Sequence, residues 1–341
     1  MTAWTFTGVV LDGASDADDH LVIGEGTSEP LPGRFALSGL VDAHSHPSVR
    51  EDHTLGDRAE AEARLREYAA LGVTVVRDLG GNRAVTLDLG RTPADGIPLV
   101  VAAGRFLSSP GRYFPGMYTP TPAEELLAAI EAEIAAGATW VKIIGDFPAW
   151  GPDGPVRGTA AWTYDEETLR RAVEAAHAAG ARVAVHSNLD AAGLIAMGVD
   201  SVEHGTGLER DDTAALGARR GAWTPTLSAV TSGLASDDPG RRKRSMELSE
   251  RMADLLAPAL AGGVRVLAGT DVEGTIATEI DLLVRHGLTV EQALDAAGPA
   301  ARDFLGVHPE GDLVTYDADP RQDPSVLAHP AAVVVRGVRV R

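Results

Sequence analysis

The segment Ala178-Ala179-Gly180-Ala181-Arg182-Val183-Ala184-Val185-His186 contains an alanine-rich stretch, a glycine, an apolar run and a terminal histidine. Alanine favours helix, and a glycine directly after a helix is the common left-handed C-terminal cap. The short apolar run that follows is typical of a buried strand. The segment therefore predicts a helix, a glycine turn and a strand that ends in a histidine.

The same helix–glycine–strand order recurs along the chain. Clear copies pass through Gly72, Gly137 and Gly198, and weaker copies pass through Gly221 and Gly263. Such a repeat predicts parallel strands that alternate with helices, because antiparallel strands do not need a helix between them. The predicted strands lie near residues 39–44, 73–78, 98–103, 139–144, 181–186, 200–204, 222–226 and 264–269. Eight of them predict an α/β fold, a (β/α)8 TIM barrel.

Three helix starts have the sequence of a capping box, in which a threonine is followed three residues later by glutamate or glutamine. The pairs are Thr121 with Glu124, Thr163 with Glu166, and Thr289 with Gln292. They predict helices near 122–136, 164–179 and 290–303.

The two chain ends differ from the repeat, because short apolar runs alternate there with Gly, Asp and Pro turns. These runs are residues 4–11, 20–24, 33–38, 312–317 and 331–340. We expect both ends to combine into a small β-sandwich domain, residues 1–38 plus 308–341. The barrel then comprises residues 39–307.

The composition excludes several functions. The formal net charge of −19 over 341 residues disfavours nucleic acid or an anionic membrane as the main partner. The absence of cysteine excludes disulfides and thiolate sites, so any metal must bind nitrogen and oxygen ligands. No secretion signal and no membrane-spanning run is visible. We therefore expect a cytoplasmic protein.

The apolar run Leu40-Val41-Asp42-Ala43 is followed by His44-Ser45-His46. Side chains two residues apart on a strand point to the same side, so both imidazoles can bind one metal ion at the mouth of a barrel. Taken alone, the pair is equally compatible with two surface histidines at a strand end.

Other candidate ligands occupy equivalent positions, each near the C-terminal end of a predicted strand. They are Lys142, His186, His204 and Asp271. Barrels of this kind place their active sites at that end of the strands. Together with His44 and His46, these residues predict one metal centre.

Lysine usage singles out Lys142. The chain has two lysines, Lys142 and Lys243, against 28 arginines. Lys142 lies in a predicted buried strand, where an unpaired amine is costly. A primary amine with a lowered pKa can add carbon dioxide to form a carbamate, which guanidinium cannot do. A salt-bridged core lysine is the alternative, but the surrounding ligands favour the carbamate.

These residues resemble the amidohydrolase superfamily, and nearly the whole chain takes part in the resemblance. Further stretches are similar to the branch that contains imidazolonepropionase-like proteins and lysine-carbamate Xaa-Pro dipeptidases. They are Gly39-Leu40-Val41-Asp42-Ala43-His44, Val202-Glu203-His204-Gly205, Ala268-Gly269-Thr270-Asp271, Leu288-Thr289-Val290-Glu291-Gln292-Ala293-Leu294, Gly311-Asp312-Leu313-Val314 and Val333-Val334-Val335-Arg336-Gly337.

The resemblance implies a metal-dependent amidohydrolase that cleaves a C–N amide bond of a dipeptide, an N-acyl amino acid or a cyclic amide. It assigns the first metal ion to His44, His46 and Asp271, and the second to His186 and His204. A carbamate on Lys142 bridges the two divalent ions, for which these ligands favour zinc. Asp271 serves as the general base and acid. Relatives often assemble, so a homo-oligomer is an open expectation.

Two loops depart from the family pattern. A Gly-Gly-His-Gly segment common in this branch is replaced by Ser108-Ser109-Pro110-Gly111-Arg112-Tyr113-Phe114-Pro115-Gly116, and the loop after Lys142 is also unusual. Four side chains in these regions are candidate substrate contacts, with ordinary loop packing as the alternative for each. They are Arg105, Arg112, Tyr113 and Trp150. The six other histidines, including His53, are expected to pack or lie at the surface.

Three alternatives to amide hydrolysis are a mononuclear deaminase, a non-catalytic scaffold and a lactone or ester hydrolase. A mononuclear deaminase would carry a glutamate near the fifth-strand histidine, but His186 is followed by Ser187-Asn188-Leu189-Asp190. A non-catalytic scaffold would have lost ligands, and this chain keeps all of them. Hydrolysis of a lactone or ester stays open, because an activated water attacks either carbonyl.

Overall fold

The computed structural model describes residues 2–11, 18–189 and 191–341, so Asp190 lies outside the described residues. The strands are β1 (Thr2–Val10), β2 (Asp18–Ile23), β3 (Thr27–Pro30), β4 (Phe35–Leu37), β5 (Leu40–Ser45), β6 (Val73–Asp78), β7 (Leu99–Ala102), β8 (Phe106–Leu107), β9 (Trp140–Ile144), β10 (Asp146–Phe147), β11 (Trp150–Gly151), β12 (Gly154–Pro155), β13 (Ala161–Trp162), β14 (Arg182–Ser187), β15 (Ser201–His204), β16 (Ala222–Thr224), β17 (Arg265–Val266), β18 (Leu313–Tyr316), β19 (Ala332–Val335) and β20 (Val338–Arg339).

The helices alternate with the central strands. They are α1 (Arg58–Ala70), α2 (Arg83–Arg91), α3 (Leu126–Ala135), α4 (Glu166–Ala178), α5 (Ala192–Met197), α6 (Arg210–Ala218), α7 (Leu227–Thr231), α8 (Pro239–Ala261), α9 (Ile276–Arg285), α10 (Val290–Ala296) and α11 (Pro299–Leu305). Short 3-10 helices cover Ala123–Glu125, Ser232–Ala235 and Pro324–Ala328.

The central strands are parallel and lie in two sheets, ordered β5-β6-β7 and β17-β16-β15-β14-β9-β8. Each of the eight predicted strands is present, although those at 222–226 and 264–269 are shorter than expected. The helix–glycine–strand repeat is also present; Gly198, for example, caps α5 with a φ of 107°. The fold is therefore TIM-barrel-like α/β.

Alternation along the strands separates two apolar clusters. In β14, Val183 and Val185 pack into the large cluster between the strands and the helices, whereas Ala184 joins a second cluster. The same alternation in β9 puts Val141 in the large cluster and leaves Lys142 on the opposite face of the strand. The two-residue period of a strand thus turns Lys142 and His186 to the face away from the helices.

The edges of the two sheets are linked by hydrogen bonds between β5 and the segment after β17. The amide of Ala43 donates to the carbonyl of Ala268 at 2.8 Å, and the amide of Asp271 donates to the carbonyl of His44 at 2.7 Å. Gly269 lies between them, and a Cβ there would stand 2.6 Å from the Cβ of His44. This close approach is what brings Asp271 next to the two histidines of β5.

Strands from both chain ends share one sheet, as predicted. In the part of the chain that is described, its order is β2-β1-β4-β18-β19-β20, with β3 paired to β1. The predicted run 331–340 is divided into β19 and β20 by a turn at Arg336 and Gly337, both with positive φ. The sandwich form of this unit, and its boundaries at 1–38 plus 308–341 and 39–307, remain predictions.

The predicted helix starts were partly wrong. Thr289 and Gln292 form the expected capping box, with both hydrogen bonds present. In contrast, the N-cap of α4 is Asp165, whose carboxylate accepts the amide of Thr168. Thr163 instead donates to a strand carbonyl. An aspartate closer to the helix therefore took the capping position that the threonine pattern had suggested.

The other two predicted helices also differ from expectation. The start near Thr121 has no side-chain cap, and a short 3-10 turn precedes α3. The helix expected over 290–303 is divided into α10 and α11 at Gly298-Pro299. Proline restricts the residue before it and lacks the amide that a continuous helix needs, so it begins a new helix instead.

Among the helices described, none combines the length and the apolar character needed to cross a bilayer.

Gly269→Ala should lower the free energy of unfolding by about 1–3 kcal/mol, the usual cost of overpacking. The added methyl would also stand 2.7 Å from Thr224 Cγ2 and 2.8 Å from the amide nitrogen of His44. Chemical denaturation monitored by circular dichroism measures the loss.

The matched control for Gly269→Ala is Gly90→Ala, inside α2. Its added Cβ would meet nothing closer than 3.3 Å. This control should change the stability by no more than about 1 kcal/mol. Equal effects of the two substitutions would contradict the close approach at Gly269.

Candidate metal centre

The six predicted ligands line one cavity of about 500 Å³. They come from the C-terminal part of five central strands or from the loop directly after: His44, His46, Lys142, His186, His204 and Asp271. The structure therefore brings together every side chain that the sequence assigned to the metal centre.

His44, His46 and Asp271 form the tightest part of the cluster. The Nε2 atoms of the two histidines are 3.2 Å apart, and Asp271 Oδ1 lies 3.2 Å from His46 Nε2 and 3.9 Å from His44 Nε2. Their ligand atoms all lie within 4.8 Å of one another. Two imidazole nitrogens and a carboxylate oxygen at this spacing fit one divalent cation.

His186 and His204 lie beside this group. Their ring centroids are 4.5 Å apart, and the ring of His204 is 5.0 Å from that of His44. Asn188 Nδ2 lies 2.9 Å from His186 Nε2, and Thr226 Oγ1 lies 2.7 Å from His204 Nδ1. One nitrogen of each ring thus has a protein partner, which is the usual arrangement of an imidazole that binds a metal ion through its other nitrogen.

The first two histidines are oriented in the same way. His44 Nδ1 lies 2.8 Å from Glu203 Oε2, and His46 Nδ1 lies 2.8 Å from the carbonyl oxygen of Gly80. Asp78 in turn accepts the amide of Gly80 at 3.0 Å. Asp78 therefore supports the position of His46, and among the described residues it has no ion pair with Arg77 or Arg105.

Burial keeps the imidazoles of His44, His186 and His204 neutral, which is the form that binds metal ions. It lowers the pKa of His44 to about 3 and the pKa of His204 to about 3, and it lowers the pKa of His186 well below the usual value. Burial raises the pKa of Asp271, but the hydrogen bond with His46 and the nearby histidine rings lower it by more, so the net shift is downward. The cluster thus offers three neutral imidazoles and an ionised carboxylate.

Lys142 is the unusual member of the cluster. Its side chain is buried, and Nζ has no hydrogen-bond partner among the described residues. Burial lowers its pKa to about 8, against the opposing effect of Glu203 and Asp271. An unpaired buried amine is costly as an ammonium ion, so this position suits a neutral amine or its carbamate.

Three residues at the cluster have a left-handed backbone. The φ angles are 63° for His204, 61° for Asp271 and 46° for Thr226, which contacts His204. Such conformations cost non-glycine residues about 1–3 kcal/mol each and are concentrated at functional sites. His204 and Asp271 line the shared cavity in this conformation, and Thr226 contacts His204 Nδ1.

Glu203, which no sequence pattern had singled out, lies at the centre of the support for His44. Its Oε1 accepts from Arg77 Nη2 at 3.0 Å and from Ser201 Oγ at 2.5 Å, and both charged side chains are fully buried. Burial alone would raise the pKa of Glu203. Arg77 and His44 lower this pKa by a larger amount, so the carboxyl is ionised. The Val202-Glu203-His204-Gly205 segment was the available signal, since it places a carboxylate directly beside a predicted ligand.

Asp42 supports the other side of the cluster. Its Oδ1 accepts the amides of His44 at 3.2 Å and Thr270 at 3.1 Å, and its Oδ2 accepts the hydroxyl of Thr270 at 2.6 Å. Burial raises its pKa to about 7. The carboxylate of Asp42 thereby fixes Thr270, the residue before Asp271, against β5.

The four candidate substrate contacts lie in different surroundings. Tyr113 lines the cavity. Arg112 donates to the carbonyls of Phe147 at 2.9 Å and Thr159 at 2.7 Å, outside the lining.

Within the described residues, the other two candidates, Arg105 and Trp150, do not line the cavity. Arg105 pairs with the buried carboxylate of Glu133 at 3.2 Å, and Trp150 stacks behind Phe147 at 6.3 Å. Loop packing, the alternative considered for each, accounts for the positions of Arg105, Arg112 and Trp150.

His53 is a cavity residue that the sequence analysis treated as ordinary packing. Its ring stacks on Phe114 at 4.5 Å, and its φ of 60° is left-handed. It lies eight or more residues from any predicted strand end in a loop without a recognisable motif, so only the fold of the chain brings it to the cavity.

Known proteins were compared with the chain. A profile of the amidohydrolase family matches residues 155–337. A Mycobacterium tuberculosis protein and a Mycobacterium bovis protein, both without an assigned function, are each 37% identical over 332 residues, which cover 92% of this chain and 87% of the relative.

Two solved structures illustrate the likeness of fold. A Xaa-Pro dipeptidase with bound methionine in the active site has a TM-score of 0.79 at 21% identity, over 99% of each chain. The ochratoxinase of A. niger has a TM-score of 0.78 at 20% identity, over 100% of this chain and 96% of that one.

Glu203→Gln should lower the free energy of unfolding by about 3–5 kcal/mol, because it leaves the buried Arg77 guanidinium without its counter-charge. Guanidinium chloride titration measures the loss. Glu62→Gln is the matched control, because Glu62 pairs with Arg58 and Arg66 on the surface of α1; it should cost at most about 0.5 kcal/mol.

A double-mutant cycle compares Glu203→Gln, Arg77→Met and the variant that carries both substitutions. The double variant should be more stable than the sum of the two single losses predicts, because no charge is left unpaired. Additive losses would contradict the coupling.

Proposed function

Since the chain belongs to the amidohydrolase family and is a hydrolase that acts on C–N bonds, we propose that it cleaves an amide bond of a small molecule at a metal centre. Dipeptides, N-acyl amino acids and cyclic amides are the candidate substrates. One observation carries the proposal: four imidazoles, one carboxylate and one unpaired amine converge in a single cavity at the ends of the strands.

Two groups of side chains would hold two divalent metal ions, for which zinc is the proposed identity. The groups are His44, His46 and Asp271 for the first ion, and His186 and His204 for the second. The bound ions supply a water of lowered pKa and a polarised scissile carbonyl. Each of the four imidazoles has one ring nitrogen bonded to the protein, and this supports the assignment.

We assign the bridging ligand to a carbamate on Lys142. The bare amine has no hydrogen-bond partner in the described structure, and its lowered pKa leaves a reactive neutral fraction near neutral pH. Carbon dioxide adds to that neutral amine, the nitrogen loses a proton, and a planar carboxylate results. The product provides two oxygens where the free lysine would place a buried positive charge.

Asp271 would act as the general base and then as the general acid. Its side chain is 20% exposed and lines the cavity, and its lowered pKa keeps it ionised at neutral pH. It would take a proton from the attacking water and deliver it to the leaving amine, which completes the cleavage of the C–N bond. The hydrogen bond of its amide to His44 holds it in position.

The ring that carries this centre would be a closed (β/α)8 barrel. Two hydrogen bonds join β5 to the segment after β17 at one edge: the amide of Ala43 donates to Ala268, and the amide of Asp271 donates to His44. At the other edge, β8 follows β7 after three residues and pairs with β9. Within the family, we place the chain in the branch of lysine-carbamate Xaa-Pro dipeptidases, in line with the solved structures of similar fold.

A direct test is the release of amine from a panel of dipeptides, N-acyl amino acids and cyclic amides by zinc-loaded protein, with lactones and esters in the same panel. Cleavage of amides supports the proposal. Cleavage confined to lactones or esters, or deamination without amide cleavage, would overturn it.

Removal of Lys142 should remove the bridge between the metal ions. Protein grown with zinc should contain about two ions per chain, while Lys142→Ala and Lys142→Arg should contain one or fewer and lose activity. Short carboxylic acids should partly restore Lys142→Ala, because they can occupy the place of the carbamate. Atomic absorption and amine release measure the two effects.

The matched control is Lys243→Ala, which replaces the other lysine of the chain, 73% exposed on α8. It should keep both ions. After exposure to 13C-bicarbonate, the natural protein and this control should give a carbamate carbon resonance that Lys142→Arg lacks. A firm content of one ion per chain in the natural protein would sink the bridging carbamate.

Asp271→Asn should keep the fold and reduce turnover by about 10²–10⁴-fold, the usual contribution of a general acid or base. The metal content must be measured alongside turnover, because Asp271 is also a proposed ligand. Asp281→Asn, an exposed aspartate on α9 that pairs with Arg285, is the control and should keep full turnover. Normal turnover of Asp271→Asn would refute the assigned role.

A further inference from the structure

The cavity beyond the metal cluster has two apolar sides. An aromatic wall, formed by Tyr113, Phe114 and Phe147, follows β8 and β9; the ring of Phe147 lies 5.0 Å from that of Tyr113 and 5.2 Å from that of Phe114. An aliphatic wall, formed by Val230, Leu248 and Val272, follows β16 and β17. The two walls therefore lie over different parts of the strand order.

The walls contain no cation that could pair with a substrate carboxylate. Of 28 arginines in the chain, none lines the cavity in the described structure, and Lys142 belongs to the metal cluster. The two nearby arginines that the sequence offered for this task are engaged elsewhere: Arg105 with Glu133, and Arg112 with the carbonyls of Phe147 and Thr159.

Two side chains of the lining outside the cluster, within the described residues, can carry a charge: the imidazole of His53, whose ring stacks on Phe114 at 4.5 Å, and the carboxylate of Glu273. Glu273 lies two residues after Asp271 and is exposed, so it adds negative charge at the mouth of the cavity. The charge of the metal centre acts on the scissile carbonyl. A carboxylate at the far end of a substrate would instead lie against apolar walls, where an unpaired charge is costly.

We propose that the substrates are uncharged amides that carry an apolar group on each side of the scissile bond, and that the walls reject a free carboxylate. This inference rests on the proposed amide hydrolysis and narrows it. Peptides with a free C-terminus and N-acyl amino acids become poor substrates, whereas blocked amides and lactams remain. The aromatic wall would take a planar or aromatic group, and the aliphatic wall would take the group on the other side.

A matched pair of anilides tests the proposal. The anilides of 4-nitrophenylacetic acid and 4-carboxyphenylacetic acid share their leaving group, and nitro and carboxylate groups have nearly the same shape but differ in charge. The nitro compound should have a kcat/KM at least about tenfold higher, because the carboxylate finds no partner. Equal values, or a preference for the carboxylate, would overturn the inference while leaving amide hydrolysis intact.

Binding separates this inference from the proposed function. Titration calorimetry on zinc-loaded Asp271→Asn should show at least about tenfold tighter binding of the nitro compound than of the carboxylate. This measurement decides the inference even if neither anilide is cleaved. Failure of every amide in the wider panel would overturn the proposed function alone.

Glu273→Lys tests the charge at the mouth. It should reduce the preference for the nitro compound by about tenfold, because a positive charge replaces a negative one near the substrate. Glu131→Lys makes the same change of charge on the outer helix α3. It should leave the ratio of the kcat/KM values for the nitro and carboxylate compounds unchanged. Equal ratios in the natural protein and in Glu273→Lys would remove Glu273 from the proposal.

Discussion

The ion pair between Arg77 and Glu203 is the interaction on which the interior of the strand layer depends. The guanidinium of Arg77, on β6, reaches the carbonyl of Ala43 on β5 at 2.5 Å and Thr224 on β16 at 3.2 Å, and it lies over the ring of Trp140 on β9. Two buried charges are costly to desolvate, and they are tolerated here because each has several partners. One pair thus connects strands that are far apart in sequence.

This pair also prepares the metal centre. Glu203 holds the Nδ1 side of His44, so the orientation of a first ligand depends on the same carboxylate that neutralises Arg77. Asp42 and Gly80 act similarly on the loop of Asp271 and on His46. Partners of this kind lock the rings in place before a metal ion arrives, which reduces the cost of ordering them on binding.

Chemistry and selectivity are divided between the strands and the loops. The proposed ligands lie at strand ends that rigid hydrogen bonding holds, whereas the aromatic and aliphatic walls come from the connecting segments. Loops tolerate change more readily than strands, so the same centre can serve different substrates when its walls change. In this chain the walls carry apolar groups and a carboxylate, and this sets the expected preference for uncharged amides.

The sequence by itself determined the repeat of helix, glycine and strand, the position of each central strand and the six candidate ligands that share one cavity. These features are local, because periodicity and glycine caps act within a few residues. Only the tertiary structure decided that Arg77 pairs with Glu203, that His53 reaches the cavity and that Arg105 and Arg112 turn away from it. Such contacts join segments distant in the chain, and their partners are selected by packing and charge burial, which no local pattern encodes.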